Sequence, residues 1–135
     1  MTAGRRRHYP VQTRTDLVKG QGVFEKHAAH GYTDPLPGIR QRTLVFGDRT
    51  LMTEFVLARN STLPSHSHPY EQTGYLVKGH MVLRIGETEH DTLAGDAWCI
   101  PANVIHGAET AEDSVAVEVF SPVRQDYLPS SSSSR

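Results

Sequence analysis

Turn residues recur too closely along this chain for long helices to fit between them. From Ile39 onward, short apolar runs alternate with turn signals. Ile39 to Phe46 is followed by Gly47-Asp48-Arg49, then Leu51 to Leu57 returns. Gly74 to Val77 precedes Lys78-Gly79, and Met81 to Ile85 precedes Gly86-Glu87-Thr88. Glu89 to Leu93 leads into Ala94-Gly95-Asp96, and Trp98 to Ile100 and Val115 to Phe120 complete the series. No window of ten or more residues repeats apolar side chains at helical spacing. Many short strands at this spacing predict an all-β sandwich or barrel. Upstream, Leu17-Val18 and Val23-Phe24 make Asp16 to Glu25 one or two further short strands. Lys26 to Gly38, with Asp34-Pro35-Leu36-Pro37-Gly38 inside it, reads as a loop.

The 135 residues suit one domain with a core of its own. Residues 1–12 read as a flexible arm, 13–128 as the folded domain, and 129–135 as a disordered tail around Ser130 to Ser134. A formal net charge of -1 gives no global field toward nucleic acid or an anionic membrane. Arg5-Arg6-Arg7, the cationic run, reads as part of a solvated arm. With one cysteine, Cys99, no internal disulfide is possible. Its neighbours Trp98 and Ile100 suggest a small core residue. No apolar run approaches the roughly 20 residues of a membrane span, and the N-terminal arginines have no apolar stretch behind them. The expected location is the cytoplasm.

The chemistry concentrates in His66-Ser67-His68-Pro69-Tyr70-Glu71-Gln72. On a strand, His66 and His68 would share a face, and Gln72 has the same parity. His106 lies further on, in Ile100-Pro101-Ala102-Asn103-Val104-Ile105-His106. Three neutral imidazoles and an amide oxygen suit a first-row divalent ion such as Ni, Zn, Mn or Fe. Glu71 has the opposite parity and should face away. His8, His27, His30, His80 and His90 fall in loops or on polar strand positions and are assigned no function. Tyr75 and Trp98 read as core or cavity-wall residues.

These residues resemble the cupin family. Its first motif is a glycine, five residues, His-x-His, three or four residues, a glutamate, six residues and a glycine. Asn60 stands at the first glycine, His66 and His68 fit, Gln72 replaces the glutamate, and Gly79 closes the motif. In the second motif Gly95, Pro101 and His106 fit, while Asn103 and Thr110 replace a glycine and an asparagine. Asparagine tolerates left-handed backbone best among non-glycine residues, so Asn60 and Asn103 can still make the turns. Glutamine in place of glutamate leaves the metal its full charge of +2, which strengthens its Lewis acidity. It also departs from the two-histidine, one-carboxylate set of iron oxygenases. The resemblance implies a single jelly-roll barrel (RmlC-like) with the metal inside one end.

Three segments, His66 to Tyr75, Gly95 to Pro101 and Val119 to Tyr127, look like the KdgF-type cupins of pectin and alginate breakdown. Those convert a 4,5-unsaturated uronate to its linear keto form at a three-histidine, one-glutamine metal site. The resemblance implies catalytic roles for Glu118, Phe120 and Arg124. Glu118 departs from the aspartate of that group, which moves the carboxyl by about one bond length. By alternation alone, Glu118 has two readings. Either Val117 and Val119 fill the core and Glu118 is exposed, or Ala116, Glu118 and Phe120 face the cavity. The resemblance favours the second, and the valine face then needs a cover, which suggests a homodimer. The expected partner is a small, carboxylate-bearing substrate. The rival classes are a cupin dioxygenase and a ligand-sensing cupin without turnover. Sensing cupins often carry a DNA-binding helix-turn-helix, for which this chain has no room.

Overall fold

The computed structural model describes residues 22–129. The N-terminal arm, the Leu17-Val18 strand and the serine run expected from the sequence lie outside them. Among the described residues ten strands form: β1 (Thr33–Leu36), β2 (Ile39–Phe46), β3 (Leu51–Leu57), β4 (Thr62–His66), β5 (Glu71–Lys78), β6 (His80–Ile85), β7 (Thr88–Leu93), β8 (Ala97–Ile100), β9 (His106–Thr110) and β10 (Ser114–Ser121). A 3-10 turn, Gln125–Tyr127, follows. The strands make two antiparallel sheets, a six-stranded one in the order β1-β2-β3-β10-β5-β8 and a four-stranded one in the order β4-β9-β6-β7. This is the all-β jelly roll that the turn spacing and the motifs imply.

Alternation explains how the sheets face each other. On β10, Ser114, Ala116, Glu118 and Phe120 are buried while Val115, Val117 and Val119 are half-exposed. The same parity on β5 buries Gln72, Gly74 and Leu76 and exposes Tyr75 and Val77. Between the sheets, Ile39, Leu57, Leu76, Met81, Leu83, Ala108 and Ala116 form the core. Each large aliphatic residue so buried stabilises the fold by about 1.5–3 kcal/mol.

Four local expectations change. The loop from Lys26 to Gly38 contains β1, which pairs only with β2. Pro35 is tolerated there because an edge strand has no second neighbour waiting for its missing N–H. Gly22 to Glu25 form no strand, and Val23 and Phe24 are exposed. Cys99 is exposed rather than a core residue, because Trp98 and Ile100 take the inward positions of β8. Tyr75 likewise points outward, between inward Gly74 and Leu76.

Asn60 and Asn103 both hold positive φ, at 62° and 66°. The two motif segments are tied together at both ends. Asn103 N–H donates to the His68 carbonyl at 2.8 Å, and Asn60 N–H donates to the Thr110 carbonyl at 3.2 Å.

Candidate metal centre

The histidines come from three different supports. His66 ends β4 and His106 begins β9, and the two residues are register partners. His68 lies in the bend between β4 and β5, so the parity argument that joined it to His66 does not apply. Pinning of that bend to Asn103 brings it in instead. Gln72 is on the facing sheet, paired with Phe120 of β10 and Ile100 of β8. The potential ligand atoms of His66, His68 and His106 all lie within 4.8 Å of one another. The ring centroids of His66 and His106 are 4.2 Å apart, and those of His68 and His106 are 4.8 Å apart.

Each imidazole is oriented the same way. His66 Nδ1 lies 2.8 Å from the Pro64 carbonyl, His68 Nδ1 3.1 Å from the Tyr70 carbonyl, and His106 Nδ1 2.9 Å from the Val104 carbonyl. A carbonyl only accepts, so each Nδ1 carries the proton and each Nε2 presents a lone pair. Burial, with Arg124 and the other imidazoles nearby, pushes His106 down to about 4 and lowers His68. Both shifts favour the neutral form that ligates metals in His106 and His68.

Two observations show that the donor set fits a cation. His106 Nε2 is buried with no hydrogen-bond partner among the described residues. His68 Nε2 and Gln72 Oε1 face each other at 2.9 Å. The His68 proton is on Nδ1, and the Gln72 amide N–H donates to Glu118 Oε2. Two acceptors thus meet with no proton between them.

Glu118 is buried on the inner face of β10, opposite Thr53 and Gly74. One carboxyl oxygen accepts from Gln72 and the other from Trp98 Nε1 at 3.1 Å. Burial raises Glu118 to about 8 against the opposing pull of those two donors. Trp98 reaches it across Gly74, which is paired with both residues. Sequence reasoning read Trp98 as a core or cavity-wall residue but missed its bond to Glu118 and the gap at Gly74, although their shared inward parity was a usable signal.

Arg124 sits at the cavity edge, its guanidinium 3.9 Å from the Tyr127 ring centroid and 4.8 Å from that of Phe120. One edge of its fork is occupied: Nε donates to Asp126 Oδ1 at 3.1 Å and Nη2 to Oδ2 at 2.8 Å. The end of the fork, Nη1 with the second Nη2 hydrogen, is the part left to face a ligand. Asp126 and Tyr127 lie in the Val119 to Tyr127 segment that carried the resemblance, but they were given no role there, since the turn that brings them back appears only in three dimensions. Phe120 is almost fully buried, its ring 5.6 Å from that of His68.

Comparison with known proteins decides the family. Residues 53–122, just over half the chain, match the cupin domain. The chain belongs to the cupin family. This cupin is similar to the pectin degradation protein KdgF of Dickeya dadantii, 28% identical over 93 residues that cover 67% of this chain and 84% of that one. It superposes on the structure of KdgF from a Halomonas species with a TM-score of 0.75 and 28% identity, covering 80% of this chain and 100% of the other. It is also 28% identical over 89 residues to the 3-hydroxyanthranilate 3,4-dioxygenase of Brucella anthropi, covering 62% of this chain and 49% of that protein. No helix among the described residues is long and apolar enough to cross a membrane.

Proposed function

We propose that this cupin is an enzyme that binds one divalent transition metal through His66, His68, His106 and Gln72 and acts on a small acidic substrate. The observation that carries this reading is the 2.9 Å approach of His68 Nε2 to Gln72 Oε1, beside the unpartnered Nε2 of His106. When bound, the metal would supply Lewis acidity toward a substrate oxygen.

The chain's own residues supply the rest. Glu118 offers the one carboxyl that lines the cavity among the described residues, so it is the group to move a proton. Arg124 holds a substrate carboxylate on the open end of its fork. Phe120 shapes the wall beside His68. The KdgF likeness makes conversion of a 4,5-unsaturated uronate to the linear keto form the first reaction to test. That conversion is an isomerisation. The C1 hydroxyl loses its proton as the bond from C1 to the ring oxygen breaks, and C4 gains a proton as C5 becomes a ketone. Every step is a proton transfer or a ring opening, within reach of one carboxyl and one Lewis acid. The glutamine in the ligand set favours this over dioxygen chemistry, in which a carboxylate ligand is usual.

The test is metal analysis of the purified protein, followed by an assay on unsaturated uronates monitored at their ultraviolet absorbance. We expect about one metal ion per chain and a metal-dependent loss of absorbance. Glu118→Gln should lower turnover by roughly 10²–10⁴-fold. Metal-free protein of full activity, or Glu118→Gln with unchanged turnover, would reject the reading.

A further inference from the structure

The cavity of about 340 Å³ behind the candidate metal centre is polar at one end only. Strand register divides it into layers. At the level of the histidines, Gln72 pairs with Phe120, and His106 pairs with His66 and Ile85. Two residues further in, Glu118 pairs with Thr53, and Ala108 pairs with Leu83 and Leu63. Two further again, Ala116 pairs with Phe55 and Leu76, and Met81 stands on β6. Four residues of strand span roughly 13 Å. Past Glu118, the side chains lining the cavity include Ala116, Phe55, Leu57, Met81, Ile39 and Leu36, with the Tyr127 ring packed edge-on against Phe55. Thr110 is at the far end, and its hydroxyl already donates to the Ala58 carbonyl at 2.7 Å.

A polyhydroxylated body placed there would leave its hydroxyls without partners. Each one buried that way costs roughly 1–3 kcal/mol. An aliphatic or aromatic body would instead gain with every carbon it buries. Resting on the metal-site reading for its acidic head, we infer that the ligand of this cavity has an oxygenated acid group at the histidine end and a hydrocarbon or aromatic body directed between the sheets toward Leu57 and Met81. This narrows the substrate class. Sugar acids hydroxylated all round are disfavoured.

The experiment is a binding series on the full chain, with and without one equivalent of Zn²⁺. The probes are butanoate, hexanoate, octanoate and gluconate, and the readouts are calorimetry and the fluorescence of Trp98, the chain's one tryptophan. Affinity should rise about fourfold per added methylene, and gluconate should bind at least about tenfold more weakly than hexanoate of equal carbon count. A flat series, or gluconate binding as tightly as hexanoate, overturns the inference. Absence of binding by every acid overturns it too. The metal-site reading fails separately. A chain-length gain that is the same with and without Zn²⁺ keeps the apolar body and removes the metal-held head. Zn²⁺-dependent binding with no chain-length gain keeps the metal centre and removes the apolar body.

Discussion

The indole of Trp98 lies against the backbone of Gly74, where an added Cβ would stand 2.2 Å from ring atoms. That contact lets Trp98, on edge strand β8, reach past β5 to Glu118 on β10. Gly74→Ala must therefore displace the indole and break its hydrogen bond. The expected loss of stability is about 1–3 kcal/mol, by overpacking. Chemical denaturation measures it, and a changed Trp98 emission maximum reports the displacement. Unchanged emission would show that the indole does not need this gap.

The Gln72–Glu118 pair explains why a glutamine stands where the family motif has glutamate. Its amide N–H serves Glu118 while its oxygen faces His68. Gln72→Glu alone would put two carboxyl groups in contact in a buried place and replace the amide donor to Glu118 by a shared proton. We expect it to destabilise the protein by about 1–3 kcal/mol. The exchanged double variant Q72E/E118Q restores an N–H donor between the two positions and leaves an oxygen for Trp98. It should recover most of that loss in thermal denaturation. A double variant no better than the single one would exclude this account.

Loss of a histidine should act on metal and not on the barrel. His106→Ala removes one ligand, and competition with a chelator should show at least a tenfold lower Zn²⁺ affinity. The far-ultraviolet circular dichroism should stay that of a β-protein. Wild-type protein stripped of metal should melt earlier than the loaded form, because a group that binds only the folded state stabilises it. Equal melting temperatures would speak against a centre at this position.

Arg124 and Asp126 should separate in their effects. Arg124→Ala removes a charged contact to a substrate carboxylate, worth about 1.5–3 kcal/mol. This should raise KM more than it lowers kcat. Asp126→Asn keeps the fork near its place against Tyr127 but frees the edge now paired with the carboxylate. Carboxylate binding should then strengthen or stay the same. Weaker binding in Asp126→Asn would mean that Asp126 positions the fork and does not compete for it.

The outer face of the six-stranded sheet calls for a cover. Tyr75 and Val77 are 49% and 50% exposed, and Val117 pairs with Tyr75 across β10 and β5. We expect a homodimer in solution with this face in the interface. Light scattering at micromolar concentration should give twice the chain mass, and Val117→Arg should shift it toward the monomer. A monomeric wild type would remove the expectation.

The amino-acid sequence by itself determined most of the strands and the family, though not β1 or β9. Turn residues and period-2 alternation are local, so Ile39 to Phe46, Leu51 to Leu57 and Val115 to Phe120 could be read directly. Where local cues conflicted with sheet position, as at Pro35 in β1 or Cys99 in β8, the reading failed, because edge placement and facing depend on neighbours far along the chain. The histidines were legible from motif spacing, but the route that joins His68 to His66 was not, since a bend pinned by Asn103 replaces the expected strand. Only the tertiary structure decided which face of β10 turns inward. Val117 or Glu118 could each have filled the core by alternation. Gln72 and Trp98 supply the two N–H donors that make burial of Glu118 tolerable, and they arrive from β5 and β8. The lock of Arg124 by Asp126 and the apolar inner end of the cavity are likewise products of packing between distant segments, which no local pattern encodes.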